Sequence, residues 1–292
     1  MFVGVPKEIK RHEYRVGLTP EACRQFVDHG HQVLVEAGAG IGSGYPDAEY
    51  VQAGALIMAT PGEVFAESGM IVKVKEPQAV EIACLRQGQI LYTYLHLAAD
   101  PGLTKALAAT GVSAIAYETI ALPDGSLPCL VPMSQIAGRL SVQEGAKYLE
   151  KAAGGRGVLL SGVPGVPAAR VTILGAGVAG QNACRIAVGM GAQVTVLDID
   201  VHKLQALDQI WGNRICTQLS GEAAIAVSLA EADLVIGAVL VPGASAPKLI
   251  RRRHLAVMKP GAVIVDIAID QGGSAETSRP TTHDDPVYLV DG

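Results

Sequence analysis

Aromatic residues make up only 4% of this 292-residue chain, with a single Trp and three Phe. A core built from it must be filled by Ala, Val, Ile and Leu, and the 49% hydrophobic content supplies them. Cysteines are few and odd in number: Cys23, Cys84, Cys129, Cys184 and Cys216 are scattered, with no C-x-x-C pair. That spacing speaks against a disulfide framework and a structural zinc site, and no metal is expected. Cys184 reads as a small core residue. No apolar run approaches the roughly 20 residues needed to span a bilayer. The start, Met1-Phe2-Val3-Gly4-Val5-Pro6-Lys7-Glu8, lacks the basic opening and long apolar stretch of a secretory signal. An excess of positive charge is missing too. The net charge is −5 and the isoelectric point near 5.8, so nucleic acid and anionic membrane are not expected partners. The one basic run, Arg251-Arg252-Arg253-His254, reads as a solvated helix face or helix start. The expected setting is a reducing cytoplasm.

What the chain has in quantity is glycine, 34 residues, together with short β-branched runs alternating with helical stretches. Strands are predicted at residues 2–5, 32–36, 70–74, 89–94 and 112–116. A helix starts at Thr19-Pro20-Glu21, with Thr as N-cap and Pro at the first helical position, and ends at Gly30. Pro, Gly and Asp cluster in Leu122-Pro123-Asp124-Gly125-Ser126-Leu127-Pro128, which reads as a linker. A long helix is expected over 133–153, broken by Gly154-Gly155-Arg156-Gly157. Further strands are predicted at 171–174, 193–197, 214–218, 233–237 and 262–266. This alternation implies α/β architecture with two doubly wound domains. Residues 1–130 would form a substrate domain and 131–292 a Rossmann NAD-binding domain with a parallel sheet, with a cleft between them.

The densest signal is Val171-Thr172-Ile173-Leu174-Gly175-Ala176-Gly177-Val178-Ala179-Gly180, an apolar run feeding into G-x-G-x-x-G. Gly175 permits the tight strand-to-helix turn, Gly177 lets a pyrophosphate approach the backbone, and Gly180 lets the helix sit close on the sheet. Free N–H groups at the helix start then face the phosphates. The second strand, Gln193-Val194-Thr195-Val196-Leu197, ends in Asp198. A carboxylate there accepts both hydroxyls of an adenosine ribose and repels a 2′-phosphate, so NAD is expected over NADP.

Ligands of open α/β sheets sit beyond the carboxyl ends of strands. Lys75 follows one predicted strand, His96 another, and Asp270 lies past Val263-Ile264-Val265-Asp266-Ile267-Ala268-Ile269. Arg15 is in the loop after the first strand. Together they suit a small anionic substrate. Arg15 offers a planar fork for a carboxylate and Lys75 a point charge. A free imidazole titrates at about 6.5 and so exchanges protons near neutrality, the chemistry His96 could supply. Asp270 would stabilise a cationic amine. Each has a plainer reading: Arg15 capping a helix or pairing with Glu13, His96 structural, and Lys73, Lys75 and Glu76 ordinary surface residues.

Several blocks resemble bacterial alanine dehydrogenase, of the alanine dehydrogenase and transhydrogenase alpha-subunit family. They are Gly4-Val5-Pro6-Lys7-Glu8-Ile9-Lys10, Glu13-Tyr14-Arg15-Val16-Gly17-Leu18-Thr19-Pro20 and Val72-Lys73-Val74-Lys75-Glu76-Pro77. Leu95-His96-Leu97-Ala98, Met133-Ser134, Gly162-Val163-Pro164-Gly165-Val166, the Gly175 to Asn182 stretch and Asp266-Ile267-Ala268-Ile269-Asp270-Gln271-Gly272-Gly273 continue the match. The resemblance implies reversible, NAD-dependent deamination of L-alanine to pyruvate and ammonia by a hexamer. It implies substrate binding by Arg15 and Lys75 and acid/base roles for His96 and Asp270. It also implies cofactor contacts from Ser134, Gly175, Gly177, Val178, Ala179, Gly180, Asp198, Lys203, Ser220, Val239, Leu240, Ile267, Ala268, Ile269, Asp270 and Arg279. Family members continue past Gly292 with a strand, an Asn-Met-Pro-like segment and a helix, so weak or no activity and reduced stability are expected of this chain alone. The alternatives are the nucleotide-binding part of a transhydrogenase and a non-catalytic NAD-binding protein.

Overall fold

The computed structural model describes residues 1–241 and 244–291. The chain divides into two compact units, Met1–Leu127 and Pro128–Gly292. The first runs β1 (Phe2–Val5), α1 (Pro20–Asp28), β2 (Gln32–Glu36), α2 (Asp47–Gln52), β3 (Leu56–Met58), α3 (Pro61–Glu67), β4 (Met70–Val72), α4 (Ala79–Ile82), β5 (Ile90–Thr93), α5 (Pro101–Thr110) and β6 (Ser113–Ala116). Its strands lie in the order β3-β2-β1-β4-β5-β6, each pair parallel. The strand order reverses direction between β1 and β4, which leaves a crevice at their carboxyl ends.

The second unit runs α6 (Val131–Tyr148), β7 (Arg170–Leu174), α7 (Val178–Gly189), β8 (Gln193–Asp198), α8 (Val201–Trp211), β9 (Ile215–Leu219), α9 (Glu222–Glu231), β10 (Leu234–Gly237), α10 (Arg252–Leu255) and β11 (Val263–Asp266). Its parallel sheet is ordered β11-β10-β7-β8-β9, with the reversal between β7 and β10. Both units are therefore doubly wound, as the alternation of elements implies.

The central strands bury near-continuous apolar runs, because helices cover both faces of a parallel sheet. Val3, Val5, Val33, Val35, Ile71 and Leu91 are buried in the first unit; Val171, Ile173, Val196, Leu234 and Ile236 are buried in the second. Tyr50 and Phe65 fill the largest gaps in the first core. Small residues of α7, among them Ala183, Cys184 and Ala187, do the close packing in the second. The helix starts follow local rules. Thr19 accepts from Ala22 N–H with Pro20 behind it, and Thr60 and Glu63 form a reciprocal capping box. All five cysteines are free; burial pushes the Cys23 thiol up to about 12 and Cys184 to about 11.

Several boundaries differ from the sequence expectation. The short edge strand β3 was not anticipated, because three residues, with Leu56 more than half exposed, carry no alternation. β4 stops at Val72 instead of 74, and β9 is displaced by one residue to Ile215–Leu219. α6 begins at Val131, where Pro132 tolerates the first turn, and ends at Tyr148; a 3-10 turn at Lys151–Ala153 replaces its expected last turn. Lys73 needs the largest correction. It is no surface residue: its side chain is fully buried between Glu8 and Glu81. The basic run does start a helix, but His254 is buried against Glu222, which also pairs with Arg251 and Arg253.

Candidate functional site

In the first unit, the β1/β4 crevice gathers most of the sequence-predicted polar residues. The loop after β1 carries Glu8, Glu13 and Arg15, and the segment after β4 carries Lys73 and Lys75. Glu8 organises the floor. One carboxylate oxygen accepts from Val74 N–H at 2.7 Å and Lys75 N–H at 3.4 Å; the other takes the Lys73 ammonium at 3.1 Å. Lys73 also donates to Glu81 at 2.6 Å, whose second oxygen accepts from Gln78 N–H at 2.7 Å. Burial raises the Glu8 carboxyl above its ordinary range, and the Lys73 charge opposes that only in part.

Above this floor, Arg15 forks onto Glu13, with Nε 2.8 Å from one oxygen and Nη2 2.5 Å from the other. This is the pairing reading of Arg15, so a substrate carboxylate at the guanidinium shares it with Glu13. Burial raises the Glu13 carboxyl, but the Arg15 hydrogen bonds and the charges of Arg15 and Lys75 outweigh it, and the net shift is downward. The Glu13 hydrogen bonds hold the Arg15 guanidinium charged against the cost of burial, and the Glu8 charge adds to this. Arg15 and Lys75 both bring positive charge to Glu13. Lys75 and His96 are partly buried. His96 adopts a left-handed backbone, φ 51°, and its ring lies parallel to Tyr94, 14° apart at 6.1 Å. Glu76 is taken by Lys10.

The second unit places the glycine loop at its own switch point. Gly175 has φ +107°, and a Cβ there would sit 2.6 Å from the Ala238 carbonyl, just after β10. A Cβ at Gly180 would lie 1.8 Å from the Gly175 carbonyl, so the α7 backbone closes directly on the loop. Gly177 differs: a Cβ there meets nothing within 4 Å. The first α7 bond is from Gln181 N–H to the Gly177 carbonyl, so the amides of Val178, Ala179 and Gly180 precede the helical ladder. Open space in front of ladder-free amides is what a pyrophosphate requires.

Asp198 ends β8 and is almost fully buried. Its oxygens accept from Ala176 N–H at 2.5 Å and Asp200 N–H at 2.8 Å, so it ties the glycine loop to the second strand. Its carbonyl accepts from Ser220 N–H at 2.8 Å. Val239 and Leu240 follow β10, and Ile267, Ala268, Ile269 and Asp270 form a 3-10 turn after β11. These residues share the carboxyl edge of the sheet. Asp266 anchors that last turn: it accepts from the amides of Ala268, Ser274 and Ala275 and from the hydroxyls of Ser274 and Ser278. Three further predicted residues lie on other elements. Ser134 is in the first turn of α6, Lys203 sits exposed on α8 at 3.8 Å from Asp200, and Arg279 stacks on the Tyr288 ring at 4.1 Å. The chain does not by itself single out Glu8, Asp266 or Glu118, the last of which accepts from the Leu95 and His96 amides. The available signal was position: each carboxylate stands at or just past a strand end. Among the described residues no group of three or more His, Cys, Asp or Glu could hold a metal ion, and no helix is long and apolar enough to cross a membrane.

Two doubly wound units, one with a dinucleotide loop at its switch point and one with cations at its own and an imidazole past the next strand, define a two-domain α/β dehydrogenase-type protein. Residues 4–137 match the family profile described as Alanine dehydrogenase/PNT, N-terminal domain, and residues 141–292 match Alanine dehydrogenase/PNT, C-terminal domain. The chain belongs to this alanine dehydrogenase family. It is 56% identical over 292 residues to an alanine dehydrogenase of Halomonas elongata, covering all of this chain and 79% of that one. It is 53% identical over 289 residues to an alanine dehydrogenase of Bacillus subtilis, covering 99% and 76%. A solved L-alanine dehydrogenase superposes with TM-score 0.91 at 52% identity, covering 99% and 80%. A transhydrogenase from Sinorhizobium meliloti is more distant, with TM-score 0.79 at 31% identity over 96% and 82%.

Proposed function

We propose that this chain carries out the reversible, NAD-dependent oxidative deamination of L-alanine to pyruvate and ammonia. The observation that carries the reading is the division of chemistry between two switch points. One presents glycine amides beside a buried acid; the other presents Arg15 and Lys75, with His96 past the neighbouring strand β5. The open space at Gly177 fits a pyrophosphate, so the residues present suit NAD. When bound, NAD supplies the acceptor for the hydride leaving the substrate Cα.

The amides of Val178, Ala179 and Gly180 hold the diphosphate, with Gly175 and Gly177 giving it access. Asp198 receives the adenosine ribose. Ser134, Lys203, Ser220, Val239, Leu240, Ile267, Ala268, Ile269, Asp270 and Arg279 make the remaining cofactor contacts. Residues 1–130 act as the substrate domain and 131–292 as the NAD domain. Lys75 and the Arg15 fork bind the alanine carboxylate, while Glu13 keeps that fork oriented and tempers its charge. His96 moves protons, taking one from the water that adds to the imino carbon and giving one to the departing ammonia. Asp270 stabilises the cationic amine. We place the protein in the cytoplasm as a homo-oligomer, by family resemblance a hexamer.

The test is NADH formation by the purified chain with L-alanine, set beside Lys75→Ala and His96→Ala. Both variants should lose alanine turnover by about 100-fold or more while binding NADH as the parent does. Loss of NADH binding in either folded variant would assign that residue to the cofactor or the fold. No alanine-dependent NADH formation by the parent, either alone or extended by a relative's C-terminal segment, would overturn the reading.

A further inference from the structure

We propose that Glu118 is a positioning residue for His96, setting the backbone from which the imidazole works. This rests on the reading of His96 as the proton-handling group. Leu95 is locked in the core, 1% exposed. The next residue turns into the left-handed region, which only a few per cent of non-glycine residues occupy. Such a backbone persists only where the surrounding structure holds it, and at a residue past a strand end it points to a positioning role.

Glu118 holds it. One oxygen of its carboxylate accepts from His96 N–H at 2.6 Å and from Leu95 N–H at 3.2 Å, and the other lies 3.3 Å from Leu95 N–H. The tertiary route is short. Glu118 stands in the 3-10 turn Tyr117–Thr119 directly after β6, and β6 pairs in parallel with β5, Thr93 opposite Ala116. The turns leaving these two neighbouring strands therefore lie side by side. Tyr117 in the same turn meets Tyr94 edge-on, 4.8 Å between centroids, and Tyr94 lies parallel to the His96 ring. The turn after β6 thus fixes His96 by its amide, through a carboxylate, and by its ring, through a pair of tyrosines.

The experiment compares Glu118→Ala and Glu118→Gln with His96→Ala. Removing the clamp should lower kcat for alanine by about tenfold to a hundredfold and leave NADH affinity within about twofold. Glutamine keeps an acceptor oxygen at the same reach, so E118Q should recover kcat to within about threefold of the parent. Parental kcat in E118A, or an E118Q as slow as E118A, overturns the inference. If E118A is fast while His96→Ala is inactive, only the Glu118 role fails; if His96→Ala itself turns over alanine at the parental rate, the proton-handling reading falls and this one with it. Should E118A not fold, amide exchange in the parent decides. Protected Leu95 and His96 amides are expected, and exchange at open-loop rates overturns the clamp.

Discussion

Replacing Lys73 by methionine isolates the buried charge cluster of the first unit. Lys73 Nζ is the shared cation of Glu8 and Glu81, whose side chains are 1% and 6% exposed. Methionine fills a similar volume, so the change leaves two desolvated carboxylates without their cation and little cavity. Breaking a buried pair from one side costs about 3–5 kcal/mol, against a total stability of about 5–15 kcal/mol. For a domain of this size the melting temperature should fall by roughly 10–25 °C. The sign with pH follows from Glu8. Its folded carboxyl is already raised by burial, and loss of the Lys73 charge raises it further. A raised group favours the folded state at low pH and loses that contribution as pH rises through the folded pKa. The deficit of Lys73→Met should therefore be largest near pH 8 and shrink as pH is lowered toward about 5. Urea unfolding across that range, followed by fluorescence and circular dichroism, measures it. Adding Glu8→Gln and Glu81→Gln to Lys73→Met removes the stranded charges and keeps acceptors for the Val74 and Gln78 amides, so the triple variant should recover most of the loss. Parental stability in Lys73→Met at pH 8, or a pH-independent deficit, would refute this account.

The two glycines of the nucleotide loop should separate ligand from fold. Gly177→Ala adds a Cβ that meets no protein atom, so it should melt like the parent but bind NADH at least tenfold more weakly (about 1.4 kcal/mol), read by fluorescence titration. Gly180→Ala puts a Cβ against the Gly175 carbonyl and should lower both the melting temperature and NADH affinity. Asp198→Ala removes the ribose acceptor and the anchor of Ala176 and Asp200; NADH affinity should fall and the ratio of NADH to NADPH binding should approach one, whereas an unchanged ratio would remove Asp198 from the discrimination. Glu13 has a lowered pKa, so it contributes stability above its ordinary value of about 4.5 that is lost as pH falls through the folded pKa. Glu13→Gln should therefore be less stable than the parent at neutrality, with the two curves converging under acid.

Local order was legible in the chain. The β-branched runs and glycine turns set both α/β units, the glycine loop announced a dinucleotide site, and the rule that ligands lie past strand ends singled out Arg15, Lys75, His96 and Asp270. These features depend on short-range chemistry: strand periodicity, N-caps and the steric freedom of glycine. Three-residue β3 and the ends of β4 and α6 escaped because pairing across the sheet, not local propensity, decides where such elements stop.

The partners of the site residues were beyond reach. Glu8 grips the Lys75 backbone across 67 residues, Lys73 goes inside because Glu8 and Glu81 converge on it, and Glu118 reaches His96 only because β5 and β6 lie side by side. A lone charged residue reads as solvated until the fold brings its counter-charge, since burial of an unpaired charge is too unfavourable to expect. Local chain order already sets which groups stand at the strand ends. The tertiary structure alone decided which carboxylates hold them there, because parallel sheets join by hydrogen bonding strands that are distant along the chain.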